Sequence, residues 1–169
     1  MILNIFNFVD NNCLIMIQRI QTLYLFIATC LMAALFFFPF AKFIALDGNL
    51  YIFNFTGIFQ EGDASGTKLG NPWPVTVLIC LSLILTIFTI FQFKGRTRQI
   101  KLAYLDILIL LSTNASIYFY AWSGNKLLGA SFHLTLFSGL PLMAILFVIL
   151  AIRNIRKDEN LVKSIDRIR

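Results

Sequence analysis

Polar side chains interrupt an apolar stretch of the chain at residues 102–116. A carboxylate, an amide and hydroxyl groups in hydrocarbon can conduct an ion or a proton, line a catalytic site, or bond one helix to another. The residues that could do this chemistry are Asp106, Ser112, Asn114 and Ser116. The elements that position them decide between the three roles.

The depth of Asp106 argues against transport. At 1.5 Å per residue, Asp106 lies only about 6 Å beyond Leu102, where the apolar run begins. A carboxylate at that depth is expected to form an ion pair with a cation at the same end of the helices. The candidate cations are Arg19, Arg98, Lys101 and Arg153.

Asn114 lies deeper, about 18 Å from the same edge. An amide that hydrogen-bonds across a helix interface contributes about 0.6–2 kcal/mol. A conduction path needs polar groups on other helices at equal depth, and the candidates are only Thr29, Ser82, Thr86 and Thr89. Packing between helices is the favoured interpretation, and a small transporter or channel that uses Asp106 and Asn114 is the alternative.

The motifs favour neither an enzyme nor a bound cofactor. His133 is the only histidine, and the sequence contains no nucleophile elbow, metalloprotease helix, phosphate loop or paired-cysteine motif. Cys13, Cys30 and Cys80 do not have metal-site spacing and are interpreted as small buried hydrophobic residues. A lipid-binding or lipid-modifying protein that works at an outer sheet and uses His133 is a third hypothesis.

The composition predicts an all-α membrane protein. Of the 169 residues, 59% are hydrophobic and 13% are charged, whereas soluble domains carry about 25% charged residues. Four apolar runs near the roughly 20 residues that cross a bilayer account for the excess. They predict one domain over residues 16–169, a bundle with spans at residues 22–41, 73–93, 102–122 and 136–152.

The distribution of Lys and Arg predicts the orientation. Eleven of the 14 basic residues lie before the first span, in the second connection or in the tail at residues 153–169. The positive-inside rule places that side in the cytoplasm, so both termini are expected there. The formal net charge of +6 is explained by this asymmetry and by attraction to anionic lipid, so nucleic-acid binding is not predicted.

The connection at residues 42–72 is longer than two helices need. Its "LDGN" segment is a hairpin-turn signal, and "SFHLTLF" in the last connection alternates with the period of two of a strand. A small antiparallel sheet is expected on the extracytoplasmic side, with Tyr51, Phe53 and Phe55 exposed to a partner. The Gly-rich "QEGDASGTKLGN" segment is expected to be an irregular loop.

The last span is expected to continue into the tail as an amphipathic cytoplasmic helix. Its aliphatic residues recur at helical spacing; they are Leu161, Val162, Ile165 and Ile168. Such a helix either lies on anionic lipid or docks a protein partner. At the other end, residues 1–15 carry no helical stripe, so Met16 is expected to be the natural start and residues 1–15 an extension.

Both ends of the chain resemble a known family. The start "MIQRIQTLYL" and the ending "IRKDENLVKSIDRIR", joined through four spans, resemble an inner-membrane family of the Bacteroidota, the domain of unknown function 4293. The resemblance covers residues 16–169 and implies a bacterial inner-membrane protein; it implies no activity, ligand or site residue. The layout is also similar in shape to claudin-like proteins, whose paired cysteines and Trp motif are missing here.

Together these features predict a non-enzymatic accessory or scaffold subunit of a larger membrane assembly. The expected partners are membrane lipid and other inner-membrane or cytoplasmic proteins. No metal or cofactor is expected.

Overall fold

The chain folds into a helical bundle with a small sheet on one end. The computed structural model describes residues 20–45, 48–62, 68–92 and 95–166. Its helices are α1 (Ile20–Ala34), α2 (Trp73–Phe91), α3 (Arg96–Leu128) and α4 (Leu140–Asp166). The end that carries the sheet is called the sheet end below, and the opposite end, where α2 connects to α3, the turn end.

Three of the described helices are long and apolar enough to cross a membrane. They are α2, α3 and the segment Leu136–Asn160, which joins a short 3-10 turn to most of α4. The apolar helix α1 is shorter over its described part. A mainly helical chain with apolar helices and a small antiparallel sheet is therefore confirmed.

The predicted first span, residues 22–41, is wrong at its end. Helix α1 ends at Ala34, and Ala41 opens the first strand. Pro39 has no N–H to donate to a helix, and the next residue is already bonded to the sheet. The Phe40 N–H donates to the Phe53 carbonyl at 2.7 Å, and the Phe40 carbonyl accepts from the Thr135 N–H at 3.1 Å.

The third and fourth helices extend beyond their predicted spans. Helix α3 has 33 residues, more than its predicted span, because hydropathy marks only the apolar part of a helix. The helix ends at Gly129, which adopts a left-handed φ of 56°. Helix α4 runs without a break to Asp166. This confirms that the last span continues into the tail; residues 167–169 and 1–19 lie outside the described part of the chain.

The buried positions of the helices recur every three or four residues, which is the seam of a coiled-coil-like bundle. On α2 they are Val75, Ile79, Ser82, Thr86 and Thr89. On α3 they are Gln99, Ala103, Asp106, Leu110, Thr113, Asn114, Ile117, Ala121 and Gly124. These seams carry the polar groups, while Leu, Ile and Phe dominate the exposed surface. This distribution suits lipid surroundings, where backbone and polar groups must be satisfied internally.

The sheet has five antiparallel strands in the order β4-β3-β2-β1-β5. The strands are β1 (Ala41–Ile44), β2 (Leu50–Asn54), β3 (Gly57–Gln60), β4 (Lys68–Gly70) and β5 (Ser131–Leu134). The predicted hairpin is confirmed, since Ile44 pairs with Leu50 across a turn in which Gly48 has a φ of 76°. The predicted strand in the last connection is also confirmed and pairs with β1.

Strands β3 and β4 were not predicted. The Asn54 side-chain oxygen accepts hydrogen bonds from the N–H groups of Thr56 and Gly57 at 3.1 and 3.2 Å, which closes a tight turn and returns the chain as β3. The segment expected to be an irregular loop contributes β4. Its residues 63–67 lie outside the described part of the chain.

The expected exposure of Phe53 is wrong. Tyr51 and Phe53 lie on one face of β2, and Phe55 follows the strand directly. Phe53 belongs to the hydrophobic core instead of pointing to solvent. Phe53 is fully buried with its ring 5.1 Å from that of Phe40. Tyr51 and Phe55 are half-buried, and the Phe55 ring lies 5.2 Å from that of Phe36.

The sheet approaches α3 closely at Gly124. A Cβ atom at this position would lie 3.0 Å from Phe43 Cζ and 3.1 Å from Ile58 Cδ1. The missing side chain therefore lets β1 and β3 rest directly on the helix.

Candidate functional site

Asp106 is buried between α2 and α3. The residue is 1% exposed, and its Oδ2 atom accepts a hydrogen bond from the Thr86 hydroxyl at 2.9 Å. The same hydroxyl lies 2.8 Å from the carbonyl oxygen of Ser82, one turn earlier on α2. One hydroxyl proton thus serves two acceptors.

The predicted ion pair of Asp106 is wrong for three of its four candidate cations. Arg98, Lys101 and Arg153 are exposed, whereas Asp106 is buried, and none of the three forms an ion pair with Asp106 among the described residues. Arg19 lies outside the described residues. Arg96 forms an ion pair with Asp158 instead, and Asp106 is held by the neutral hydroxyl of Thr86.

The Asp106 site has unused hydrogen-bonding capacity. Asp106 Oδ1 and the Ser82 hydroxyl are buried beside each other, and neither makes a hydrogen bond of normal length to a described residue. An unsatisfied buried polar group costs about 1–3 kcal/mol. A carboxylate beside two hydroxyls, in a segment apolar enough to span a membrane, is the chemistry of a proton or cation site as well as of a helix contact.

Asn114 forms a separate contact nearer the sheet end. Its amide nitrogen donates to the Ser138 carbonyl at 3.1 Å, in the turn that precedes α4. Eight residues separate it from Asp106, which is about 12 Å along the helix. The two residues therefore do not form one site.

The two serine candidates lie away from both contacts. Ser112 is exposed, and its hydroxyl donates to the Leu108 carbonyl of its own helix at 2.9 Å. Ser116 is half-buried. Of the four candidates from the sequence, the structure thus uses only Asp106 and Asn114 between elements.

Two polar contacts at the turn end were not predicted from the sequence. The Gln99 amide donates to the Thr89 carbonyl at 3.1 Å and joins α3 to α2. Arg96 Nη2 lies 2.9 Å from Asp158 Oδ2 and joins α3 to α4. The short α2–α3 turn could have indicated the Gln99–Thr89 contact. No local pattern in the sequence connects Arg96 to Asp158, which lies 62 positions later.

The remaining candidates are scattered. Leu161, Val162 and Ile165 belong to the helical backbone of α4, but their side chains, like the whole of Ile168, lie outside the described residues. His133 is exposed on the edge strand β5. The interpretation of the cysteines as buried is wrong for Cys30 and Cys80, which are exposed.

Residues 17–168 match a family described as Domain of unknown function (DUF4293). The chain belongs to this family. The resemblance of the two ends is therefore confirmed. The match covers every helix and strand that the structure describes, so the contacts of Asp106, Asn114 and Arg96 belong to the DUF4293 domain. No curated protein matches the chain.

Proposed function

We propose that this DUF4293 protein is a four-span protein of the bacterial inner membrane, with both termini in the cytoplasm, that serves as a non-enzymatic accessory or scaffold subunit of a larger assembly. The apolar exposed surface of the helices and the excess of basic residues at the turn end support the membrane placement. Membrane lipid and other membrane or cytoplasmic proteins are its partners.

The continuity of α4 carries the proposal. One helix of 27 residues contains both an apolar segment and the charged extension up to Asp166. Asp158 is buried at the base of that extension and is paired with Arg96 of α3. The ion pair therefore anchors α4 at the base of the extension, and an anchored helix is a form suited to docking a partner.

The polar contacts within the helices also favour a structural role. The side chains of Thr86, Gln99 and Asn114 bond one element to another. They lie at separate levels of the bundle, so they act as cross-links between elements.

Surface labelling tests the orientation. In intact spheroplasts, an amine reagent that cannot cross the membrane is expected to modify Lys42, which is exposed on β1. Lys101 and Lys157, exposed at the turn end, are expected to react only after permeabilisation. Mass spectrometry of the labelled peptides reports both, and modification of Lys157 before permeabilisation would contradict the orientation.

Substitutions in the extension test the docking role. The double variant Leu161→Asp with Ile165→Asp places charges at two positions one turn apart in the predicted apolar stripe. It is expected to lose at least about tenfold of any partner captured from native membranes, about 1.4 kcal/mol. Quantitative mass spectrometry of pull-downs through an N-terminal tag measures this loss.

A matched control adds the same charge outside the stripe. Asn160→Asp with Ser164→Asp is expected to retain the partner. Equal losses in the two double variants, or a wild-type protein that purifies without a reproducible partner, would count against the scaffold.

A small transporter or channel is the second candidate, and one observation favours it. Asp106 Oδ1 and the Ser82 hydroxyl beside it are both unpaired, so the carboxylate could bind a proton or a cation without breaking an existing hydrogen bond. In this second candidate Asn114 would be a separate polar site along the path, because its amide nitrogen already donates to the Ser138 carbonyl.

A further inference from the structure

We propose that a cavity between the sheet and the end of α3 binds an alkyl chain of a membrane phospholipid. The inference rests on the membrane placement proposed above, and it assigns a ligand where the sequence indicated none. The cavity lies beside strands β3 and β4, at the opposite edge of the sheet from His133 on β5. It is therefore distinct from a lipid site built on that histidine.

The cavity has a volume of about 120 Å³. Its walls include Ile58 and Gly70 of the sheet, Asn71 in the connection to α2, and Tyr120, Ser123 and Leu127 of α3. An apolar cavity of about 150 Å³ is large enough for benzene. This one can hold a short run of methylene groups.

Small residues create the cavity. The sheet touches α3 at Gly124, where even a Cβ atom would crowd Phe43 and Ile58. Beside that contact the surfaces diverge, and the residues there are too small to fill the gap. A Cβ atom on Gly70 would meet nothing closer than Ile58 Cδ1 at 3.8 Å, and Ser123 on the facing helix has only a hydroxymethyl side chain.

The position of the opening favours a lipid. Leu127 lines the cavity and is 79% exposed, so the cavity opens on the outer surface of the helix. Trp73 and Trp122 are exposed near this end of the bundle, and tryptophan side chains settle at the level of lipid headgroups. The opening therefore faces the depth at which acyl chains begin.

A cation adjacent in sequence to the lining residue Leu127 favours a phospholipid over a neutral lipid. The Lys126 ammonium lies 3.7 Å from the centre of the Trp122 ring and precedes Leu127 in the chain. An exposed ammonium at this depth attracts a lipid phosphate. The structure thus supplies an apolar cavity for the acyl chain of the lipid and a positive charge for its phosphate headgroup.

Photo-crosslinking tests the proposal on the full chain in nanodiscs. The probe is phosphatidylglycerol with a diazirine in one acyl chain, and unlabelled phosphatidylglycerol is the competitor. Labelling of residues 120–128 is expected to be saturable. Ser123→Phe, which fills the cavity, is expected to lower it about tenfold, whereas Ser123→Ala, which leaves the space open, is expected to retain it.

Two further variants make the result specific. Ser112→Phe adds the same ring to an exposed position of α3 and is expected to leave the labelling unchanged. Lys126→Gln is expected to weaken competition by phosphatidylglycerol about threefold, as an exposed ion pair would. If Ser123→Phe fails to fold, Gly70→Val fills the cavity from the strand.

Four outcomes would overturn the site. Labelling at residues 120–128 that no competitor reduces, or that Ser123→Phe leaves intact, means that bulk lipid alone is in contact. Competition by free oleate but not by phosphatidylglycerol removes the assigned headgroup. If neither residues 120–128 nor the exposed surface of α3 around Leu108 is labelled, the membrane placement itself fails. Labelling around Leu108 without labelling of residues 120–128 overturns the cavity site alone.

Discussion

Arg96→Ala is expected to lower the free energy of unfolding by about 3–5 kcal/mol, because it leaves the buried Asp158 carboxylate without its counter-ion. Asp158 is 3% exposed, and its second oxygen, Oδ1, already has no hydrogen-bond partner among the described residues. At about 2–4 °C per kcal/mol for a chain of this size, the unfolding midpoint should fall by about 6–20 °C. Thermal unfolding in mild detergent, followed by tryptophan fluorescence, measures it.

The reverse truncation is expected to cost less. Asp158→Ala leaves the Arg96 side chain, which is 34% exposed, free to turn toward water. Arg98→Ala is the matched control, since it removes an exposed arginine from the same turn of α3 and is expected to change stability by less than about 0.5 kcal/mol. Equal midpoints for the Arg96 and Arg98 variants would show that the ion pair does not anchor α4.

The ion pair also connects stability to the proposed function. Because Asp158 lies at the base of the α4 extension, loss of Arg96 should loosen the docking helix. Arg96→Ala protein that is still folded at low temperature is then expected to capture less partner than Arg98→Ala protein.

Asp106→Asn is expected to raise the unfolding midpoint. The amide oxygen can still accept from the Thr86 hydroxyl, while the amide nitrogen supplies donor hydrogens beside the unpaired Ser82 hydroxyl. A neutral buried amide also costs less to desolvate than a carboxylate. Relief of unsatisfied groups is worth about 1–3 kcal/mol, or about 2–12 °C at the same conversion.

Thr86→Val should have the opposite effect. It removes the hydroxyl donor of the Asp106 carboxylate and is expected to cost about 1–3 kcal/mol. Thr113→Val is the control, because the Thr113 hydroxyl bonds only the Ile109 carbonyl of its own helix among the contacts described. A lower midpoint in Asp106→Asn would show that the carboxylate itself stabilises the bundle.

Flux measurements with the same variant separate the two candidate functions. If the protein is a scaffold, vesicles that contain wild-type protein or Asp106→Asn protein are expected to leak protons and sodium at the rate of protein-free vesicles. A wild-type flux that Asp106→Asn abolishes, with the midpoint raised, would assign the costly carboxylate to transport and overturn the scaffold.

The sequence was sufficient for features that depend on local pattern. Apolar runs of spanning length predicted α2, α3 and α4, and the run of tail residues without a breaker predicted the continuation of α4. The "LDGN" signal and the alternation in "SFHLTLF" predicted β1, β2 and β5. Each of these rests on periodicity or turn chemistry within a few residues, so no distant contact is needed to read it.

Only the tertiary structure decided which side chains meet. The same residues that predicted strand β2 also predicted an exposed Phe53, whereas the structure buries this side chain in the core against Phe40. Asp106 has several cations nearby in the sequence, yet the seam of the bundle turned it toward Thr86 and left those cations outside. Arg96 and Asp158 lie in different helices, and they meet because α3 and α4 pack side by side. The orientation of a side chain about a helix axis depends on the neighbour that covers it, and that neighbour is determined by the fold.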